Sequence, residues 1–141
     1  MAERTTTRAE LTWDGDLRFA ADSDGQRLVI DSNGARGPSP MQTLAMSLAG
    51  CMAIDVVDIL KKGRHDLRTV RVSFSGLRAP DPPRKFEEIA LHFTIGGDAP
   101  RAAIDRALAL SHEKYCSVWH SMRESIGLVI TYEVQGSEVR A

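Results

Sequence analysis

The chain has 141 residues, enough for one domain, residues 1–141, with a core of its own. Its 18 basic and 19 acidic side chains leave a formal charge of −1, interspersed without a basic stripe or an acidic tail, so no long-range field gathers nucleic acid or an anionic membrane. The apolar fraction of 43% and charged fraction of 26% are an ordinary globular balance.

Residues 1–10 are polar and lack the apolar run of a signal peptide. The most apolar stretch, residues 44–54, is followed at once by Asp55 and Asp58 and reads as too short to span a bilayer. The expected location is therefore the cytoplasm. There, two cysteines read as catalytic, sensing, metal-binding or buried before they read as a staple.

Short β-like pieces come first, at residues 9–13, 16–21 and 26–31, with Gly15 and Ser23-Asp24-Gly25 as turns. Asn33-Gly34 and Gly37-Pro38 make a loop. A helix over residues 40–62 follows. Ser39 caps it, Pro40 suits its first turn and Gln42 completes a capping box. Lys61 and Lys62 favour its negative end, and Gly63 marks the stop. Its first half is apolar almost all round, which belongs inside a protein or an oligomer. Gly50 and the small alanines there let another backbone come close.

Val70, Val72 and Phe74 alternate as one strand, and Ile89, Leu91, Phe93 and Ile95 as another. The loop between them, residues 79–83, is too proline-rich for a strand. Asp98 is the expected cap of a second helix with Pro100 in its first turn; Ile104, Ala107, Leu108 and Ser111 share a face. Residues 115–117 read as a break, followed by a short third helix to about residue 126. Leu128, Ile130, Tyr132 and Val134 alternate as a last strand. Segregated strands and helices argue an α+β fold.

Cys51 lies mid-helix, far from any helix end, and burial alone would leave it inert; it needs a cation or a donor from elsewhere. Cys116 precedes a helix start, where free backbone N–H groups are expected to lower its thiol pKa, with His120 one turn on. Read alone, each cysteine also fits a buried space-filler.

The stretch Ser39-Pro40-Met41-Gln42, then Leu48-Ala49-Gly50-Cys51-Met52-Ala53-Ile54-Asp55-Val56-Val57, with Leu60-Lys61-Lys62-Gly63-Arg64 behind it, resembles the central helix of the OsmC/Ohr family. Glu113-Lys114-Tyr115-Cys116-Ser117-Val118 resembles that family's second-cysteine motif, and the details are similar to its YhfA-like branch. The resemblance implies an intertwined homodimer, with two antiparallel sheets around paired central helices and a site at the subunit interface. It implies that Cys51 attacks a small organic hydroperoxide and becomes a sulfenic acid. Cys116 then resolves this as a disulfide, a dithiol reductant restores the pair, and no cofactor takes part. Met41, Met46 and Trp119 would supply apolar walls for the substrate. The family's peroxidases carry a glutamate after the helix-start proline, paired with an arginine; here Met41 holds that position. Arg18, Arg27 and Arg36 are the arginines on offer, with Arg18 the candidate.

Two other readings stand beside this one. His112, Cys116 and His120 are spaced by four and with Cys51 could form a zinc set, but the break at residues 115–117 spoils that register, so no metal is expected. A non-catalytic carrier could hold a small apolar ligand at the interface, its cysteines structural or redox-sensing. Gly34-Ala35-Arg36-Gly37 lacks the strand and spacing of a phosphate loop. His65 and His92 have no role assigned. Asp55 and Asp58, beside Lys61 and Lys62, read as a solvated, salt-bridged face.

Overall fold

A computed structural model describes residues 2–135. The chain forms two compact units, one up to Leu44 and one from Ala45 onward.

The first unit is an antiparallel meander of β1 (Glu10–Trp13), β2 (Arg18–Ser23) and β3 (Gln26–Asp31). Asp24 and Gly25, both at positive φ, close the β2–β3 hairpin between the paired residues Ser23 and Gln26. A two-residue Asp-Gly turn has the twist that such a hairpin needs. Asp22 Oδ1 accepts the Gly25 N–H at 3.1 Å and fixes the turn. By register, Leu11, Trp13, Phe19 and Leu28 share one face of this sheet, and all four are exposed, Trp13 to 66%.

After β3, Asp31 organises the loop that leads to the helix. It is buried, and its carboxylate accepts N–H bonds from Asn33 (2.9 Å) and Arg36 (3.1 Å). The Asn33 amide is the main cause that holds this carboxyl below the usual carboxylate range; burial opposes it, and the Arg36 amide and the Arg18 charge add to it. A folded-state pKa below the unfolded value stabilises above about pH 4 and is lost as pH falls through the folded value. The urea midpoint is therefore expected to drop between neutral pH and about pH 3 more steeply in the wild type than in Asp31→Asn. Equal slopes would show that Asp31 carries none of the acid sensitivity.

The helix α1 runs from Pro40 to Lys62, as its signals predict. The capping box forms: Gln42 N–H donates to Ser39 Oγ at 3.1 Å and Ser39 N–H to Gln42 Oε1 at 2.9 Å. The end differs in one respect from expectation. His65 N–H bonds to the Leu60 carbonyl and Arg64 N–H to that of Lys61, a Schellman pair in which Arg64, not Gly63, takes the left-handed position (φ 65°). The whole of α1, longer than its apolar run at residues 44–54, is by length and composition alone apolar enough to cross a bilayer. Its stripe of Leu48, Met52, Val56 and Leu60 at four-residue spacing is instead buried within the second unit.

The second unit's sheet has the order β4 (Leu67–Arg78), β5 (Phe86–Gly97), β6 (Gly127–Gln135). β4 and β5 pair antiparallel, but β5 and β6 pair parallel, so this sheet is mixed rather than wholly antiparallel. A parallel neighbour needs a crossover, and residues 98–126 supply it with α2 (Arg101–Leu110), a π-turn (Ser111–Tyr115) and α3 (Ser117–His120). On the middle strand Ile89, Leu91, Phe93 and Ile95 alternate inward and are buried, as are Ile104, Ala107, Leu108 and Ser111.

Two helix boundaries correct the sequence reading. Asp98 does not cap α2: its Oδ1 accepts the Asp66 N–H at 2.7 Å and pins the start of β4, while Pro100 stands at the N-cap without a side-chain bond. The third helix is a single turn that ends at His120 rather than reaching residue 126.

Candidate functional site

Cys51 lies mid-way along α1, and Asp55 follows one helical turn later on the same side. The crossover brings the second cysteine to them. The Cys116 N–H closes the π-turn onto the Ser111 carbonyl at 2.8 Å, after which Cys116 adopts an extended conformation and starts α3. The extra residue of a π-turn re-aims the chain, and such turns gather at functional sites. Its effect here is that Ser111 and Cys116 both face α1. Ser111 Oγ donates to Asp55 Oδ2 at 2.8 Å. The two sulfurs and an Asp55 carboxylate oxygen all lie within 4.8 Å of one another.

The two thiols differ in access. Cys51 is half-buried, whereas Cys116 is 0% exposed. Burial pushes the Cys116 thiol up to about 11. The Trp119 N–H, 3.4 Å from Cys116 Sγ, pulls it down, but the hydrogen bond with Cys51 and the charges of Cys51 and Asp55 reinforce burial. The expectation of a lowered pKa at this helix start is thus overturned: one amide of a four-residue helix does not offset full desolvation beside a carboxylate. His120 adds no help that the geometry records; its Nε2 lies 2.9 Å from the His112 carbonyl.

The structure brings Cys51 and Cys116 together, with the Trp119 backbone on the second sulfur. The Trp119 ring is half-buried and leans on His112, centroids 5.9 Å apart. Met46 is 55% exposed. It precedes Cys51 by five residues, about 140° away around the helix, so it does not line that side. Met41 is half-buried in the first turn of α1. Arg18 is engaged within its own unit: its Nε lies 3.3 Å from Asp14 Oδ2 and its Nη2 donates to the Asp14 carbonyl at 2.7 Å. Among the described residues, the metal-type side chains grouped at the cysteines are Cys51, Asp55 and Cys116, without His112 or His120. The salt-bridged face survives only as Asp58–Lys62 at 3.0 Å. Asp55 is the residue that sequence reasoning missed; its signal was a spacing of four from Cys51. His92, which had no role assigned, bonds through its ring to Thr131 and Glu133 across the β5–β6 pair.

A cleft of about 730 Å³ adjoins this site, lined by Asp55, Leu60, Lys62, His65, Arg106 and Tyr115 among others. Through Asp55 it shares a wall with the sulfur pair.

The chain and its fold have counterparts among known proteins. A family model described as "OsmC-like protein" matches residues 32–131. Protein YhfA of Escherichia coli K12 is 41% identical over 130 residues, which cover 90% of this chain and 97% of YhfA. A crystal structure of a hypothetical protein from Aquifex aeolicus VF5 superposes with a TM-score of 0.88 at 28% identity, covering 95% of this chain and 99% of that one. An organic hydroperoxide resistance protein OsmC from Legionella pneumophila shares the fold, with a TM-score of 0.69 at 20% identity over 94% of this chain and all of that one.

Proposed function

The chain belongs to the OsmC family, and from that premise we propose that it reduces small organic hydroperoxides through its cysteine pair. The observation that carries this reading is the asymmetry of the two sulfurs: an accessible Cys51 within 4.8 Å of a fully buried Cys116. The reachable sulfur meets the substrate and the buried one resolves the product.

In the first step Cys51, as the thiolate, attacks the outer oxygen of ROOH. The S–O bond forms, the O–O bond breaks, and the alkoxide leaves as ROH once protonated. In the second, the Cys116 sulfur attacks the Cys51 sulfenic acid. The S–S bond forms, the S–O bond breaks, and the oxygen leaves as water with the Cys116 proton. A disulfide sulfur pair is about 2.05 Å apart, so closure takes a shift of under about 3 Å. Asp55 stands beside both sulfurs and is suited to pass that proton to the leaving oxygen. A dithiol of the cytoplasm then restores both thiols. The adjoining cleft, with apolar and cationic walls, is the proposed substrate approach.

The functional unit in this reading is a homodimer. Its support is the apolar surface left uncovered: Leu11, Trp13, Phe19 and Leu28 on one sheet face, and Ile54 at 70% exposure on α1. Sedimentation at micromolar concentration is expected to give the mass of two chains.

One equivalent of cumene hydroperoxide is expected to consume both thiols of the reduced protein and leave a Cys51–Cys116 disulfide, read by thiol titration and peptide mass spectrometry. Persistence of both thiols overturns the hydroperoxide reading. Met41, in place of the peroxidases' glutamate, favours a second reading for that outcome: a carrier of a small apolar ligand, with the cysteines structural.

A further inference from the structure

The same three side chains have a chemistry that does not depend on peroxide. Cys51 Sγ, Cys116 Sγ and an Asp55 oxygen form a triangle with no edge longer than 4.8 Å. A tetrahedral zinc-class ion takes sulfur at about 2.3 Å and carboxylate oxygen at about 2.0–2.2 Å, which sets ligand–ligand edges near 3.5–3.8 Å. The triangle reaches those edges with shifts of about 1 Å.

The surroundings are those that hold ligands in place. Ser111 Oγ donates to Asp55 Oδ2 and so holds the carboxylate that stands beside the sulfurs. The Trp119 N–H points at Cys116 Sγ. Metal-bound carboxylates and thiolates are typically fixed by such outer hydrogen bonds. Half-buried Cys51 leaves a side open for the ion to enter and for a fourth ligand, water. Two thiolates select zinc-class ions over magnesium or calcium.

We propose that the reduced protein binds one zinc-class divalent ion through Cys51, Cys116 and Asp55, and that the disulfide form does not. Binding releases two thiol protons and transfers no electrons: two S–H groups and M²⁺ give an M(S)₂ unit plus two H⁺, with the carboxylate as third ligand. Oxidation by diamide joins the two thiolates as a disulfide and removes both as ligands; their two electrons pass to the reagent, which takes two protons from solvent, and the ion is freed.

Cobalt(II) is the probe. Titrated anaerobically into the reduced full chain, it is expected to produce a thiolate-to-cobalt charge-transfer band and tetrahedral ligand-field bands that saturate at one ion per chain. Zinc should bleach both, one for one, and diamide should abolish them. Cys116→Ser should lose about half the charge-transfer intensity. Ser111→Ala should keep the bands while raising Kd about 10–100-fold, the usual cost of losing an outer hydrogen bond. Circular dichroism checks that each variant is folded. Absence of thiolate bands in folded, fully reduced protein overturns the proposal. So does cobalt binding that survives diamide or the Cys51→Ser/Cys116→Ser double change, because the ligands then lie elsewhere. None of these readouts involves a hydroperoxide, so failure here is separable from failure of the proposed activity.

Discussion

Cys51→Ser is expected to reduce hydroperoxide consumption to the uncatalysed rate, because a hydroxyl in that position is neither ionised nor soft enough to take the peroxide oxygen. Cys116→Ser is expected to behave differently. It should consume about one equivalent of peroxide per chain and then stall, with the sulfenic acid on Cys51 open to trapping by dimedone. The contrast tests the division of labour between a reachable and a buried sulfur. Dimedone labelling at residue 116 of the Cys51→Ser protein would reverse the two roles. No adduct at Cys51 in the Cys116→Ser protein would make Cys51 a structural residue. The serine at 116 keeps the size of the buried group and can still accept the Trp119 N–H, so loss of folding is not the expected cause of a stall.

The largest stability effect is expected at Phe93. It is fully buried on β5, the strand that carries both ladders of the second sheet. Phe93→Ala removes a ring that no neighbour can replace without moving the sheet, a change that costs about 3–5 kcal/mol at such sites. Against a typical total of about 5–15 kcal/mol, that is a large share. Exposed Glu87, near the start of the same strand, gives the control: Glu87→Gln should shift stability by no more than about 0.5 kcal/mol. Urea unfolding at pH 7 measures both. A Phe93→Ala midpoint close to wild type would mean that the interior collapses around the loss.

The element pattern was legible because it rests on local rules. The capping box at Ser39 and Gln42, the Asp24-Gly25 turn and the alternation of Ile89, Leu91, Phe93 and Ile95 are all settled within a few residues of one another. What escaped is what distant residues settle. Asp98 looks like a helix cap until Asp66, far away in sequence, claims its carboxylate. The parallel sense of β6 depends on where the crossover lands, which no local pattern encodes. The Cys116 pKa was misjudged for the same reason: the helix start is local, but desolvation and Asp55 come from the fold. Asp55 was read as part of a solvated face with Asp58, and only Asp58 stayed there; Ser111, from another element, draws Asp55 inward. The cysteine pairing itself came from family resemblance, since 65 positions of separation carry no local signal.

The parallel pairing of β5 with β6 has a consequence during synthesis. A chain leaves the ribosome N-terminal end first. β4 and β5 can pair as soon as both have emerged, but the far edge of β5 has no partner until the nine residues of β6 arrive, about thirty residues later. Throughout that interval the nascent chain carries the strand that is most buried in the finished fold with one row of amides and carbonyls unmet, the kind of edge on which neighbouring chains recruit one another. β6, whose buried contacts are few, therefore guards solubility as well as completing the sheet.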